Sequence, residues 1–178
     1  MNMHTTPKVA KKPHTLIANG HTRIDNYYWL NERENTEVIA YLEAENEYMH
    51  TVFGKEIQAL QDSIFTEMRS RIKEDDNSVP YRWRDYFYYV RYETGKEYPI
   101  YCRKKGSLEA KEEIMLNGNV AAKRKKYFAI MGADISPNQN LWAYSVDSKG
   151  RRICTLYIRD LITNKNLTDK IRNVSGNF

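Results

Sequence analysis

A strand–turn–strand unit that occurs twice is the feature that most constrains the fold. One copy lies between Asp134 and Lys165, in DISPNQNLWAYSVDSKGRRICTLYIRDLITNK. Shifting DYFYYVRYETGKEYPIYCRK by 55 residues lays it on NLWAYSVDSKGRRICTLYIR without a gap and places Tyr89 on Tyr144. Gly95 falls on Gly150 in the same alignment. Antiparallel units that repeat every few tens of residues are typical of propeller blades, which hide their faces between neighbours. The sequence therefore predicts two blades of an incomplete array.

The segments around these hairpins set the expected limits of the blades. KEDDNSVP, residues 73–80, is rich in turn residues and predicts a boundary. EEIML predicts a further strand before Asn117 and Gly118, and AAKRKK a charged connector. We expect one blade at about 78–120, a second at about 125–172, and then the start of a third.

The first third of the chain has a different pattern. Residues 1–15 are basic, contain two prolines and lack periodicity, so they predict an extended arm. Asp25 and Asn26 precede Tyr27, Tyr28 and Trp29, which predicts a turn that directs these three rings into a core.

A helical hairpin is expected next. Thr36 is the predicted cap of a first helix, and Gly54 its predicted end. The second helix is expected at about Lys55 to Lys73. Apolar residues recur at helical spacing in both, at Val38, Leu42, Met49 and Phe53 and at Ile57, Leu60, Ile64, Met68 and Ile72. These stripes predict that the helices face each other and leave apolar surface for another partner.

Bulk properties narrow the class of protein. The 178 residues contain no apolar run near the ~18–20 that a membrane span needs, and the first residues lack the apolar core of a secretory signal. Cys102 and Cys154 form no CxxC pair, which predicts buried free thiols. We expect a cytoplasmic protein that does not bind membranes.

No residue of this chain is predicted to be catalytic, to bind a cofactor or to hold a metal. His4, His14, His21 and His50 lack a ligand partner at a useful spacing such as HExxH. KEDDN lacks the spaced carboxylates of a calcium loop. No G-x-S-x-G nucleophile turn is present.

Two other functions remain open at this point. The basic AAKRKKYF with the tyrosine-rich hairpin is compatible with a nucleic-acid-binding β domain, although acidic residues interleave throughout and the net charge is only +5. A non-catalytic interaction module is the other alternative. We expect no nucleic-acid partner.

Several blocks resemble the prolyl oligopeptidase family of serine peptidases. RIDNYYWL with YLEAEN is similar to the wider family, and RIKEDDNSVPYR with GKEYPIYCRK to its oligopeptidase B branch. The resemblance implies an α+β chain, in which residues 1–73 pack on an α/β-hydrolase domain and residues 78–178 begin a seven-bladed propeller. It implies that the Ser-His-Asp triad lies outside this chain, which would be an inactive N-terminal fragment of the enzyme. The complete enzyme would hydrolyse short peptides after Arg or Lys without a cofactor.

Overall fold

The computed structural model describes residues 5–176. The chain divides after Ile72 into two compact units. The first contains one β-hairpin and the two long helices, and the second contains two four-stranded sheets joined by a short helix. The predicted α+β class, with antiparallel blade-like sheets after a helical region, is confirmed. None of the helices formed by residues 5–176 is long and apolar enough to span a bilayer.

The first unit opens with an antiparallel hairpin that the sequence reasoning missed. Thr5–Pro13 have no regular structure, as expected of an arm, but His14–Ala18 (β1) pairs with His21–Asp25 (β2). The turn is Asn19-Gly20, with φ of 51° and 79°. Asn-Gly is the residue pair that favours a two-residue hairpin turn with positive φ, so a sequence signal for this hairpin was available.

Trp29 ties the arm to the segment that follows β2. It is 8% exposed, and its indole N–H donates to the Ala10 carbonyl at 3.0 Å. The Lys12 ammonium lies 4.3 Å from the centre of the Trp29 ring. Tyr27 and Tyr28 remain 40% exposed, so the prediction that all three rings are buried is wrong for the two tyrosines. Their hydroxyls keep water contact at little cost, whereas the indole N–H has a partner.

The N-cap of the first helix lies one residue before the position predicted for it. Asn35 is the N-cap, and its side chain accepts a hydrogen bond from the Glu37 N–H at 2.9 Å. The prediction of Thr36 as the cap is therefore wrong: Thr36 is the first residue of α1, Thr36–Met49. An amide oxygen that precedes the first turn satisfies an N–H that has no partner within the helix.

The expected helix end at Gly54 is also wrong. His50–Gly54 form a π-helical segment, after which α2 runs from Lys55 to Ser70. Gly54 has φ −56° and ψ −44°, so the backbone stays helical and α1 continues into α2 without the reversing turn that we expected. A terminating glycine would adopt positive φ. The apolar stripe of α2 is exposed in this structure, at Ile57, Leu60, Ile64 and Met68, and so is Ile72, which lies just beyond the end of the helix.

The second unit is built from two antiparallel sheets of four consecutive strands. The first contains β3 (Tyr81–Trp83), β4 (Tyr86–Arg91), β5 (Ile100–Lys105) and β6 (Glu112–Asn117). After a short helix α3, Gly118–Ala121, the second contains β7 (Ala129–Ile135), β8 (Leu141–Asp147), β9 (Cys154–Asp160) and β10 (Lys165–Val174).

The 55-residue repeat predicted from the sequence is visible in the backbone. Gly95 and Gly150 occupy the equivalent hairpin turns with φ of 71° and 73°. The Gly106 N–H donates to the Asp85 carbonyl at 2.7 Å, and the Leu161 N–H donates to the Asn140 carbonyl at 2.8 Å. Each donor and each acceptor is separated from its counterpart by the same offset. The two sheets are therefore copies of one structural unit, and the prediction of two blades is confirmed.

Candidate functional site

The two sheets pack through aromatic side chains. Tyr101 on β5 meets Trp142 on β8 with ring centres 5.3 Å apart, and Trp142 stacks on Tyr144 at 4.6 Å. Tyr144 stacks in turn on Tyr157 of β9 at 5.6 Å. Such ring pairs stabilise an interface beyond their buried area. This aromatic layer joins both sheets into one core.

A buried arginine crosses the same interface. The Arg103 side chain on β5 is 4% exposed, and its Nε donates to Glu113 Oε2 at 2.7 Å. Its Nη1 donates to the Gln139 carbonyl at 2.6 Å, and the guanidinium lies 4.1 Å from the centre of the Tyr86 ring. A buried guanidinium is tolerated when its donors and its flat face are both occupied. Arg103 thus links the first sheet to the turn that precedes β8.

Gln139 is the residue that Arg103 contacts in the turn between β7 and β8 of the second sheet. It is 5% exposed and has φ of 61°, a left-handed conformation that side chains other than glycine seldom adopt. Its N–H donates to the Ser136 carbonyl at 2.7 Å, which closes the turn. Its side-chain amide donates to Asp85 Oδ2 at 3.2 Å and accepts from the Asp85 N–H at 3.3 Å. No sequence signal indicated this role, because the partners lie 36 and 54 residues away.

A second polar cluster lies around Glu112 on the first sheet. Arg91 binds Glu112 with two nitrogens, Nε at 3.1 Å and Nη2 at 3.1 Å, and the Tyr89 hydroxyl donates to the same carboxylate at 2.6 Å. Burial alone would raise the pKa of Glu112, but the hydrogen bonds from Arg91 and Tyr89 hold it below the ordinary value. Burial, and then the hydrogen bond to Glu112, raises the pKa of Tyr89.

Both cysteines are buried free thiols, as predicted. Burial, and next the nearby charge of Glu112, raises the pKa of Cys102 to about 12. Burial also raises the pKa of Cys154. A thiol that stays protonated at neutral pH is a poor nucleophile and a poor metal ligand.

The three histidines within residues 5–176 are dispersed in the first unit. His14 stacks on Tyr28 at 4.2 Å, His21 lies in β2, and His50 begins the π-helical segment. His4 lies outside the described residues. Within residues 5–176 no group of three or more His, Cys, Asp or Glu side chains is placed to hold a metal ion.

A cavity of about 350 Å³ opens between the two sheets. Six of its lining residues are aromatic, at Tyr81, Trp83, Tyr88, Tyr89, Tyr101 and Trp142. Asp134, from the strand β7, also lines it and is exposed. Among the described residues that line the cavity, none is lysine, arginine or histidine. Cavities of this size with an apolar wall and few polar groups are typical ligand sites.

Sequence comparison relates almost the whole chain to peptidases. The family profile described as prolyl oligopeptidase, N-terminal beta-propeller domain, matches residues 7–178. Dipeptidyl aminopeptidase BI of Pseudoxanthomonas mexicana is 39% identical over 192 aligned positions, which cover 98% of this chain and 26% of that protein. Protease 2 of Moraxella lacunata is 36% identical over 172 positions, covering 93% of this chain and 25% of that protein. The chain therefore spans about a quarter of the length of these curated relatives.

Solved structures give the same relation. Oligopeptidase B from Leishmania major matches 94% of this chain and 26% of its own, with a TM-score of 0.82 and 32% identity. Oligopeptidase B from Trypanosoma brucei, solved in a closed form with covalently bound antipain, matches the same shares with a TM-score of 0.81 and 28% identity.

Proposed function

Since this chain belongs to the prolyl oligopeptidase family, we propose that it is the propeller-side portion of an oligopeptidase B-like serine endopeptidase. The observation that carries this proposal is the pair of equivalent four-stranded sheets following the helices, an order that matches oligopeptidase B over 94% of the chain. The complete enzyme would act in the cytoplasm. Its proposed partners are short peptides, which it would hydrolyse after Arg or Lys.

The proposed division of labour places the chemistry outside these residues. Acyl transfer by a serine peptidase requires a nucleophile, a base and donors for the oxyanion. We assign none of these roles to a residue of this chain, and the proposed reaction uses no cofactor. The role of the sheets is to cover the active site and restrict it to short or unstructured peptides.

Residues 1–73 are proposed to pack on the α/β-hydrolase domain, while residues 78–178 contribute to the propeller. The exposed apolar stripe of α2 supports this division, with Leu60 and Met68 62% and 63% exposed. Apolar side chains at helical spacing stabilise a protein only when a partner covers them. A structure of a longer protein in which α1 and α2 contact only blades would contradict this assignment.

The experiment that tests the proposal is an assay of the purified chain with a chromogenic arginyl peptide substrate. We expect no turnover, because the proposal assigns the nucleophile, the base and the oxyanion donors that form the tetrahedral intermediate to residues outside this chain. Turnover that is blocked by a serine-directed inhibitor, and that is absent from a mock purification, would contradict the proposed division of labour.

A further inference from the structure

We propose that the cavity between the two sheets binds a cationic side chain, a guanidinium or an ammonium group of a peptide, between aromatic rings and the carboxylate of Asp134. This inference goes beyond the proposed function, because it concerns binding by these 178 residues and holds whether or not the bound peptide is cleaved.

The cavity wall is aromatic and contains a carboxylate. The chain has a net charge of +5, yet the described residues that line this wall include one carboxylate, six aromatic rings and no lysine, arginine or histidine. Arg84 lies 5.2 Å from the centre of the Trp83 ring and Lys104 lies 5.9 Å from that of Tyr89, so two of the six rings already attract a cation of the chain itself. The faces of aromatic rings carry a negative electrostatic potential, so they attract cations and gain little from anions. The composition of the wall therefore favours a cation over an anion.

The rings that line the cavity have different orientations. The Tyr81 and Tyr88 rings stack at 5.7 Å, and Trp83 lies 6.4 Å from Tyr88 at an interplanar angle of 54°. Tyr101 of the first sheet and Trp142 of the second sheet meet at 44°. Rings at several orientations around one space offer their faces from different directions, as the cages that bind organic cations do. A flat guanidinium can stack on one face while its stem contacts another.

Asp134 supplies the charge. Its Oδ1 accepts the N–H of Ile135 at 2.7 Å, and Asp134 forms no ion pair with the part of the chain described here. The neighbouring hydroxyl of Tyr81 responds to this charge: burial first, and then Asp134, raises the pKa of Tyr81. The carboxylate is thus at the cavity and available to an incoming cation.

Two probes of nearly the same shape, one charged and one neutral, distinguish the contribution of charge to the affinity from that of shape. Nα-acetyl-arginine amide carries the guanidinium, and Nα-acetyl-citrulline amide is its neutral analogue. Saturation-transfer difference NMR, which also works on oligomers, measures the affinity of each probe for the full chain. We expect the arginine probe to bind about tenfold more tightly than the citrulline probe, because a charge-assisted hydrogen bond is stronger than a neutral one.

Variants locate the site. Asp134→Asn keeps the acceptor for Ile135, and we expect it to weaken arginine binding about tenfold without affecting citrulline. Tyr81→Ala removes a ring that is 60% exposed, so the fold tolerates the change and both probes weaken. Asp169→Asn, on the exposed strand β10, is the matched control that changes neither affinity. Circular dichroism verifies that each variant stays folded.

Equal binding of the two probes would overturn the proposal, as would equal effects of Asp134→Asn and Asp169→Asn. Binding of arginine that Tyr81→Ala leaves unchanged would overturn it as well. Failure of the arginyl substrate assay described under the proposed function would leave these affinities untouched, so the two proposals are tested separately.

Discussion

At the scale of single residues, Arg103 and Gln139 determine how the two sheets meet. In the sequence, Arg103 stands in the run CRKK and has the pattern of a surface strand end. In the structure its side chain is 4% exposed and contacts both sheets. An alternating pattern assigns a residue to a face of a sheet, but it does not reveal that a turn 36 residues later supplies a carbonyl for it.

Arg103→Ala should lower the free energy of unfolding more than alanine substitution of an exposed arginine does. The substitution leaves the Gln139 carbonyl without its donor and removes the ring contact with Tyr86. Glu113 is 43% exposed and regains water, which moderates the loss to about 2–3 kcal/mol. Urea unfolding followed by tryptophan fluorescence measures the free energy of unfolding. The control Arg82→Ala, at an exposed position, should stay within about 0.5 kcal/mol. Equal effects of the two substitutions would remove Arg103 from its proposed role.

The Cys102 thiol should be unreactive in the folded chain. Because burial holds the pKa of Cys102 at about 12, its thiolate fraction is negligible at pH 8 and grows only as the pH approaches that value. A thiol titration with an aromatic disulfide reagent, repeated from pH 7 to pH 10, measures this. A cysteine introduced by Thr163→Cys at an exposed turn should react along a curve centred at pH ~8.5, the ordinary thiol pKa. Fast reaction of Cys102 in the folded wild-type chain at pH 8 would contradict its burial.

At the scale of secondary-structure elements, glycine occurs in helical backbone at one position and in a turn with positive φ at another. Gly54 lies in helical backbone with φ −56°, whereas Gly95 lies in a hairpin turn with φ +71°. A side chain at Gly54 would meet only His50 at ordinary contact distance, and one at Gly95 would meet nothing within 4 Å. The backbone conformation, and not the available space, therefore decides the effect of a substitution at either glycine.

Alanine at these two glycines should change stability in opposite directions. Gly54→Ala should stabilise the helical region by about 0.5–1 kcal/mol, because alanine restricts the unfolded chain and favours a helix. Gly95→Ala should destabilise by about 1–2 kcal/mol, because alanine at positive φ is strained. Circular dichroism during urea unfolding gives both values. A loss of stability in Gly54→Ala would indicate that the chain turns at Gly54, as the sequence alone had suggested.

These elements also show which features of the fold can be predicted from the sequence. The strands β4, β5, β8 and β9 were predictable, because tyrosine-rich or apolar runs flank turn glycines in both copies. The strand β10 was missed because Lys165–Val174 is polar and exposed. The cavity was not predictable, since its wall combines residues 53 positions apart, such as Tyr81 and Asp134, that only sheet packing brings together.

At the scale of the whole molecule, the isolated chain should be a poor soluble monomer. Two sheets expose faces or edges that neighbouring blades would cover, and exposed strand edges pair with other chains. The exposed stripe of α2 adds a second uncovered surface. The net charge of +5 opposes association, but its repulsion is screened within ~8 Å at physiological salt. Size-exclusion chromatography with light scattering should show oligomers, and a sharp monomer peak with cooperative thermal unfolding would favour an independent module.

The central claim is that these residues serve as the propeller-side portion of a peptidase, and a chimera tests it most directly. This chain would replace the matching part of Protease 2 from Moraxella lacunata, of which it covers 25%. Peptide hydrolysis by the purified chimera is then compared with hydrolysis by the parent and by this chain alone. The account predicts a soluble chimera that hydrolyses peptide and is blocked by a serine-directed inhibitor, while the chain alone is inactive. A chimera that unfolds cooperatively as a single species, yet hydrolyses no peptide that the parent cleaves, would contradict it.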